Sequence, residues 1–391
     1  MKWKIPLFKI YWTEADVKEA EKVIRSGMYW ATGSQIEEFE TRIKEYLSAK
    51  YCLTFNSGGS ALYALMLAYR FKQGDEIIVP SFTFIATAYA PIYVGAKPIF
   101  ADVEFETFGL DPEDVVERIT PKTKAIIPIH YGGMPCKIEK LNEVAEDHNL
   151  VLIEDAAESF GAKFKGRCVG TFGESAIFSF CHNKVFTTGE GGCVVTENKK
   201  IYERLKLIRS YGRVTERGYF LSAGNIDYVE IGYNFRMSTL LAALGISQLT
   251  HVDNAIAMRR KNAKYLNRNL AKVDSIVVPE PPSNNYFAVY QMYTIRVLGG
   301  KELRDELMRF LQEKGIMSRV YFEPVHKYSI FRNLGYKELS LPNTEELSSQ
   351  VLTLPMYPQL DRCDMDYIIN SIKEFFSRNK INEKETNNKG I

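Results

Sequence analysis

Leu150-Val-Leu-Ile-Glu-Asp-Ala-Ala157 is a continuous apolar run that ends in two acids. A strand apolar on both faces is buried on both faces, the habit of parallel sheets covered by helices. Its acids fall at the carboxyl end, where open α/β sheets bind their ligands. Further strand signals at 76–79, 98–103, 124–129 and 176–180 alternate with helical stretches at 61–71 and 138–148. That alternation predicts an α/β chain with a mainly parallel sheet and helices on both faces.

The stretch from Glu174 to Gly192 carries the second chemical signal. A short strand at 176–180 runs into Lys184, and Gly189, Gly191 and Gly192 then let the backbone pass close by. An uncharged lysine amine facing a cleft can bond to an aldehyde carbon. Alone, Lys184 reads as a solvated loop residue, because loops are exposed. Asp155 alone is open to reading as a helix cap. Together, an acid ending one strand and an amine beyond a later one are the pair that pyridoxal 5'-phosphate (PLP) needs. The lysine holds the aldehyde carbon, and the carboxylate keeps the pyridine nitrogen protonated so that the ring withdraws electrons.

Composition narrows the class. The 391 residues allow one large and one small domain. A net charge of +2 supplies no broad basic surface, so nucleic acid is not an implied partner. The six cysteines form no C-x-x-C pair and the five histidines show no ligand pairing, so reduced thiols and no structural metal are expected. Met1-Lys-Trp-Lys-Ile-Pro lacks the apolar core of a signal peptide, and no apolar run approaches spanning length. A cytoplasmic protein with no membrane partner is the expectation.

Along the chain, a first helix is expected at 14–26, capped by Thr13 and stopped by Gly27, and a second at 35–48. Asn56-Ser-Gly-Gly-Ser60 precedes the helix at 61–71, and a Gly-Ser turn entering a helix offers N–H groups and a positive dipole end to a phosphate. In Pro80-Ser-Phe-Thr-Phe84 the aromatics at alternate positions are expected on one side of an extended chain, where one can stack on a flat ring. A long helical region is expected from 239 to about 270, and Pro279-Glu-Pro-Pro-Ser-Asn-Asn285 reads as a linker. A strand at 289–297 and helices at 302–314 and 364–376 then describe a smaller α/β unit.

These pieces resemble the DegT/DnrJ/EryC1/StrS family of fold-type I, PLP-dependent sugar aminotransferases. The resemblance rests on Asn56-Ser-Gly-Gly-Ser-Ala-Leu62, Val79-Pro-Ser-Phe-Thr-Phe-Ile-Ala-Thr87, Glu154-Asp-Ala-Ala-Glu158, Phe178-Ser-Phe-Cys-His-Asn-Lys184, Thr187-Thr-Gly-Glu-Gly-Gly192 and Gly232-Tyr-Asn-Phe-Arg-Met237. Tyr321-Phe-Glu-Pro-Val-His326 and Leu354-Pro-Met-Tyr-Pro358 extend it towards the end. It implies a large PLP-binding domain over 1–255 with an N-terminal arm and a small domain over 256–378; the polar, charged stretch 379–391 is expected to be a disordered tail.

It also implies a site. PLP is expected covalently on Lys184, with pyridoxamine phosphate as intermediate and Asp155 on the ring nitrogen. Gly58, Gly59 and Ser60 would hold the phosphate, with Ser179 on its other side and Asn234 reaching it from the neighbouring subunit of a homodimer. Phe84 would lie against the ring, Glu158 near the phenolic oxygen and the sugar, and His326 near the substrate mouth. Two departures stand out: Gly59 replaces a common Thr, and Cys181-His182-Asn183 replaces a common His-Pro-Thr. The Asn-Lys ending is similar to the perosamine-synthase branch. The implied reaction moves an amino group from L-glutamate to a nucleotide-linked keto-sugar, most simply a 4-keto-6-deoxy sugar. The resulting amino sugar would serve polysaccharide, glycan or secondary-metabolite synthesis. A sugar dehydratase or deoxygenase, or a non-enzymic regulator of the same fold, are the rival readings.

Overall fold

The apolar run at 150–157 forms β5 (Val151–Asp155), inside a sheet that also contains β1 (Tyr51–Phe55), β2 (Glu76–Pro80), β3 (Lys97–Ala101), β4 (Thr123–Ile126), β6 (Ser175–Ser179) and β7 (Gly192–Thr196). A computed structural model describes residues 3–214 and 226–388, with side chains described as far as 378. The strand order is β1-β7-β6-β5-β4-β2-β3. β2 to β6 pair in parallel, and only β7 runs antiparallel, to both β6 and β1.

Neighbouring residues of β5 feed opposite faces of the sheet, as the pleat requires. Ile153 joins Ile177, Leu62 and Leu65 in a core under helix Gly58–Ala68. Leu152 joins Ile126, Ile138 and Leu141 under helix Ile138–Asp147 on the other side. Helices therefore cover both faces, as the alternating signals predict. Helices Glu14–Arg25 and Ser34–Leu47 form close to their expected places; Gly27, at φ +64, ends the first, and Phe39, Ile43 and Leu47 are the buried stripe of the second.

The smaller unit is a three-stranded antiparallel sheet of Ile276–Val277, Tyr293–Val297 and Val351–Leu354. Ile295, Leu307, Leu311, Leu352, Ile368 and Ile372 share one apolar cluster between that sheet and helices Gly300–Glu313 and Arg362–Asn388. The backbone of this last helix continues to Asn388; the expected tail over 379–391 lies outside the residues whose side chains are described.

Two expectations change. The helical region after 239 is two helices, Thr239–Thr250 and Val252–Leu270, broken at His251. The second helix crosses residue 255 unbroken, putting Val252 and Ile256 into a core of the large unit and Ala263, Leu266 and Leu270 into that of the small one. At its centre the buried Arg259 donates to the carbonyls of Tyr290, Gln291 and Met356. Burial pulls its guanidinium down to about 10, which still leaves it charged at neutral pH. The strand expected from 289 begins at Tyr293, because residues 289–292 form a strap whose Val289 and Met292 amides bond to Gly133 and Gly132.

Candidate active site

Because adjacent strand residues point apart, Glu154 and Asp155 do different work. Glu154 is fully buried and accepts hydrogen bonds from the amides of Gly170, Phe172 and Gly173 at 2.6–2.7 Å. It also meets His130 Nε2 at 2.8 Å, while His130 Nδ1 accepts from the Cys136 amide at 3.1 Å, so Nε2 carries the hydrogen. Glu154 is thus a structural pin. Asp155 turns to the other face, accepting from the Thr87 hydroxyl at 2.7 Å and the Ala157 amide at 3.1 Å. Burial pushes its carboxyl above the ordinary range, against those hydrogen bonds and the positive charge of Lys184. A carboxylate so placed is stabilised by a cation brought up to it.

Lys184 reaches the same strand end from the loop after β6. Its amide donates to the Cys181 carbonyl at 2.9 Å, and Gln291 Nε2 holds the preceding carbonyl, that of Asn183, at 2.5 Å. The Lys184 ammonium lies 3.5 Å from Glu158 Oε1, with its side chain 14% exposed. Glu158 is oriented by the Gly132 amide on Oε2 at 2.9 Å, in a turn where Gly132 takes φ +60. Asp155, Glu158 and Lys184 are therefore gathered at the carboxyl end of β5 and β6.

The glycine turn lies alongside. Phe55, Gly192 and Ser179 are in line across β1, β7 and β6. This brings Ser179 against Gly58, where an added Cβ would fall 3.0 Å from the serine Cβ. A Cβ on Gly192 would fall 2.5 Å from the Gly58 nitrogen, so this crossing requires glycine. The helix starts at Gly58 rather than 61, because Ser57 Oγ accepts from the Ser60 amide at 3.0 Å and caps it. Gly58, Gly59 and Ser60 thus form its first turn beside Ser179, and the Ser60 hydroxyl is paired with Ser57 at 2.9 Å. A Cβ on Gly59 would meet only Ser57 Oγ, at 3.8 Å.

Phe82 and Phe84 do not share a side. The chain bends after β2, Phe82 is buried, and Phe84 is 59% exposed. Phe84 lines an open cleft of about 470 Å³ with Tyr89, Phe322 and Tyr328. Its ring is tilted against that of Phe322, with centroids 6.4 Å apart. His326 corrects an expectation: it is fully enclosed, with Nδ1 2.6 Å from Ser81 Oγ and Nε2 3.3 Å from Glu345. Both nitrogens are engaged inside the protein, so it is not offered to a substrate mouth. Asn234 is exposed, and its carbonyl accepts from Asn56 Nδ2 at 3.3 Å beyond the end of β1.

Residue reading missed Thr83, Thr87, His130 and Gln291. Thr83 and Thr87 hydroxyls are 2.9 Å apart; since Thr87 donates to Asp155, Thr83 donates to Thr87. Their four-residue spacing beside an aromatic pair was the available signal. The donor set fits PLP: helix N–H groups and Ser179 for an anion, Asp155 for a ring cation, Lys184 for an aldehyde and Phe84 for a flat ring.

Comparison with known proteins agrees with this geometry. The sequence profile of the DegT/DnrJ/EryC1/StrS aminotransferase family matches residues 11–373. GDP-perosamine synthase of Escherichia coli O157:H7 is 37% identical over 373 residues, 95% of this chain and 99% of that one. The pleiotropic regulatory protein of Geobacillus stearothermophilus is 36% identical over 360 residues, 91% of this chain and 93% of that one. Among solved structures, the PLP form of the putative sugar aminotransferase Spr1654 of Streptococcus pneumoniae superposes with a TM-score of 0.90 at 26% identity, covering 96% of this chain and 99% of that one. The profile spans both units, and the chain belongs to the DegT/DnrJ/EryC1/StrS aminotransferase family, whose enzymes are of the transaminase type.

Proposed function

We propose that this protein moves the amino group of L-glutamate onto a nucleotide-linked keto-sugar, most simply a 4-keto-6-deoxy sugar, giving 2-oxoglutarate and an amino sugar. The observation that carries the reading is the convergence of Lys184 on Glu158, at 3.5 Å, in the field of the buried Asp155. Likeness to a GDP-perosamine synthase over nearly the whole chain supports the sugar class.

In this reading Gly58, Gly59, Ser60 and Ser179 would hold the phosphate of PLP, and Phe84 would offer its ring to the cofactor's. When bound, PLP supplies a sink for the electron pair left on a carbon that loses a proton. Asp155, oriented by the Thr83–Thr87 hydroxyl pair, would favour a positive charge on the ring. Lys184 Nζ would hold the cofactor through its aldehyde carbon and, as a free amine, would move the proton between the donor's Cα and the carbon next to the ring. Glu158 holds that amine in place through the Gly132 turn. Asn234 completes the phosphate site of a second copy, which makes the working unit a homodimer with shared sites.

The regulatory reading is weaker, although a relative carries a regulatory name. A pure binding protein has no use for an amine held in the field of a buried acid. Incubation with a panel of nucleotide keto-sugars and glutamate, read by mass, tests the proposal. Formation of an amino sugar that requires glutamate supports it. Loss of a sugar hydroxyl without glutamate would replace it with the dehydratase reading. Borohydride treatment and peptide mapping are expected to leave the cofactor on Lys184.

A further inference from the structure

The side chains of Cys181 and His182, in one of the two departures from the family pattern, have no part in the site above, where only the Cys181 carbonyl is used. Folding gives them a partner. Cys181 forms a bridge with Gly189, which brings Glu190 back beside it and closes the mouth of the loop that carries Lys184. Cys181 Sγ lies 3.3 Å from His182 Nδ1 and 3.7 Å from Glu190 Oε1. The three ligand atoms lie within 4.8 Å of one another. Tetrahedral zinc bonds of about 2.0–2.3 Å to sulfur, nitrogen and oxygen put ligand atoms about 3.3–3.7 Å apart. The contacts of Cys181 already match those edges.

We propose that Cys181, His182 and Glu190 form a binding site for a borderline-soft divalent cation, Zn²⁺ foremost, that clips the two ends of the Lys184 loop together. Thiolate, imidazole and carboxylate are a set that zinc accepts, and three protein ligands leave the fourth position to water. On binding, the Cys181 thiol gives its proton to solvent, while neutral His182 and the Glu190 carboxylate donate lone pairs. Without a cation, burial and the facing Glu190 charge hold the thiol protonated, with Lys184 opposing them. His182 and Glu190 are exposed and Cys181 half-buried, so an ion reaches the site from solvent. Neighbouring positions 181 and 182, with the third ligand at 190, match no familiar linear spacing.

The test uses the full chain, tag removed and loaded with PLP, and does not depend on sugar transamination. Co²⁺ is added as a spectroscopic probe against the metal-free protein, and Zn²⁺ is titrated in competition with a chromophoric chelator. One Co²⁺ per chain with a thiolate charge-transfer band, displaced by Zn²⁺, is expected. Outer-shell changes alone cost roughly 10–100-fold in metal affinity, so Cys181→Ser is expected to abolish the band and weaken Zn²⁺ at least tenfold. His182→Ala, at an exposed position, should weaken it comparably with the fold intact, while Cys363→Ser, in the exposed thiol of the last helix, should change nothing. A band that survives Cys181→Ser, or wild-type zinc affinity no greater than that of the Cys181→Ser, His182→Ala double variant, overturns the proposal.

Discussion

The Thr87 hydroxyl donates to Asp155 Oδ2 at 2.7 Å, and Thr83 donates in turn to Thr87. Thr83 on the connection after β2 and Thr87 in the first turn of the helix Ile85–Tyr93 thus orient a carboxylate on a strand two places from β2 in the sheet. Thr87→Val keeps the volume and removes the donor. A buried acceptor left unpaired costs about 1–3 kcal/mol, so the apo-protein should melt lower in a thermal scan. PLP should also dissociate faster, read by spectral titration. Unchanged melting and retention would show that the hydroxyl pair does not support Asp155.

Asp155 also sets a pH dependence. Its folded pKa is raised above the ordinary 3.8, so its contribution to apo stability is full below that value and is lost as pH rises through the folded one. As pH rises above about 4, apo Asp155→Asn should therefore gain stability relative to wild type. PLP should narrow the difference, because a ring cation offsets the burial. Parallel apo melting curves for the two proteins across that range would contradict this account.

Lys184→Ala removes the amine proposed to move the proton. Positioned acid–base groups contribute roughly 10²–10⁴-fold to rate, so kcat should fall by at least that much. Glu158→Gln keeps an acceptor for Gly132 but loses the charge 3.5 Å from the amine. A smaller fall in kcat than that of Lys184→Ala is expected, with the fold intact by circular dichroism.

The glycines at the phosphate turn predict opposite outcomes. Gly59→Thr meets open space beyond Ser57 Oγ at 3.8 Å and adds a hydroxyl near the first helical turn. It should be tolerated and should lower the dissociation constant of PLP. Gly192→Ala drives a methyl to 2.5 Å from backbone. Overpacking of this kind costs about 1–3 kcal/mol, and chemical denaturation should show the loss.

His326 separates a fold role from a substrate role. Enclosed between Ser81 and Glu345, with burial pulling its pKa below 6.5, it should act on stability. His326→Ala is expected to lower the melting temperature while leaving KM for the sugar close to wild type. A KM change with no change in melting would return it to the substrate mouth.

The sequence alone determined the layered α/β plan and the principal chemistry. Apolar runs of strand length, spaced by helical stretches, leave few ways to bury their surface, and the acid and lysine stand at strand ends that one sheet must align. The family resemblance pointed to Asp155, but the reason Glu154 turns away as a structural pin lies in which helix covers each face. The sequence could not place His326 inside, start the phosphate helix at Gly58 or bring Glu190 back to Cys181. Those are matters of register and closure, set when distant backbone segments pack, and packing depends on contacts that no single stretch of chain contains.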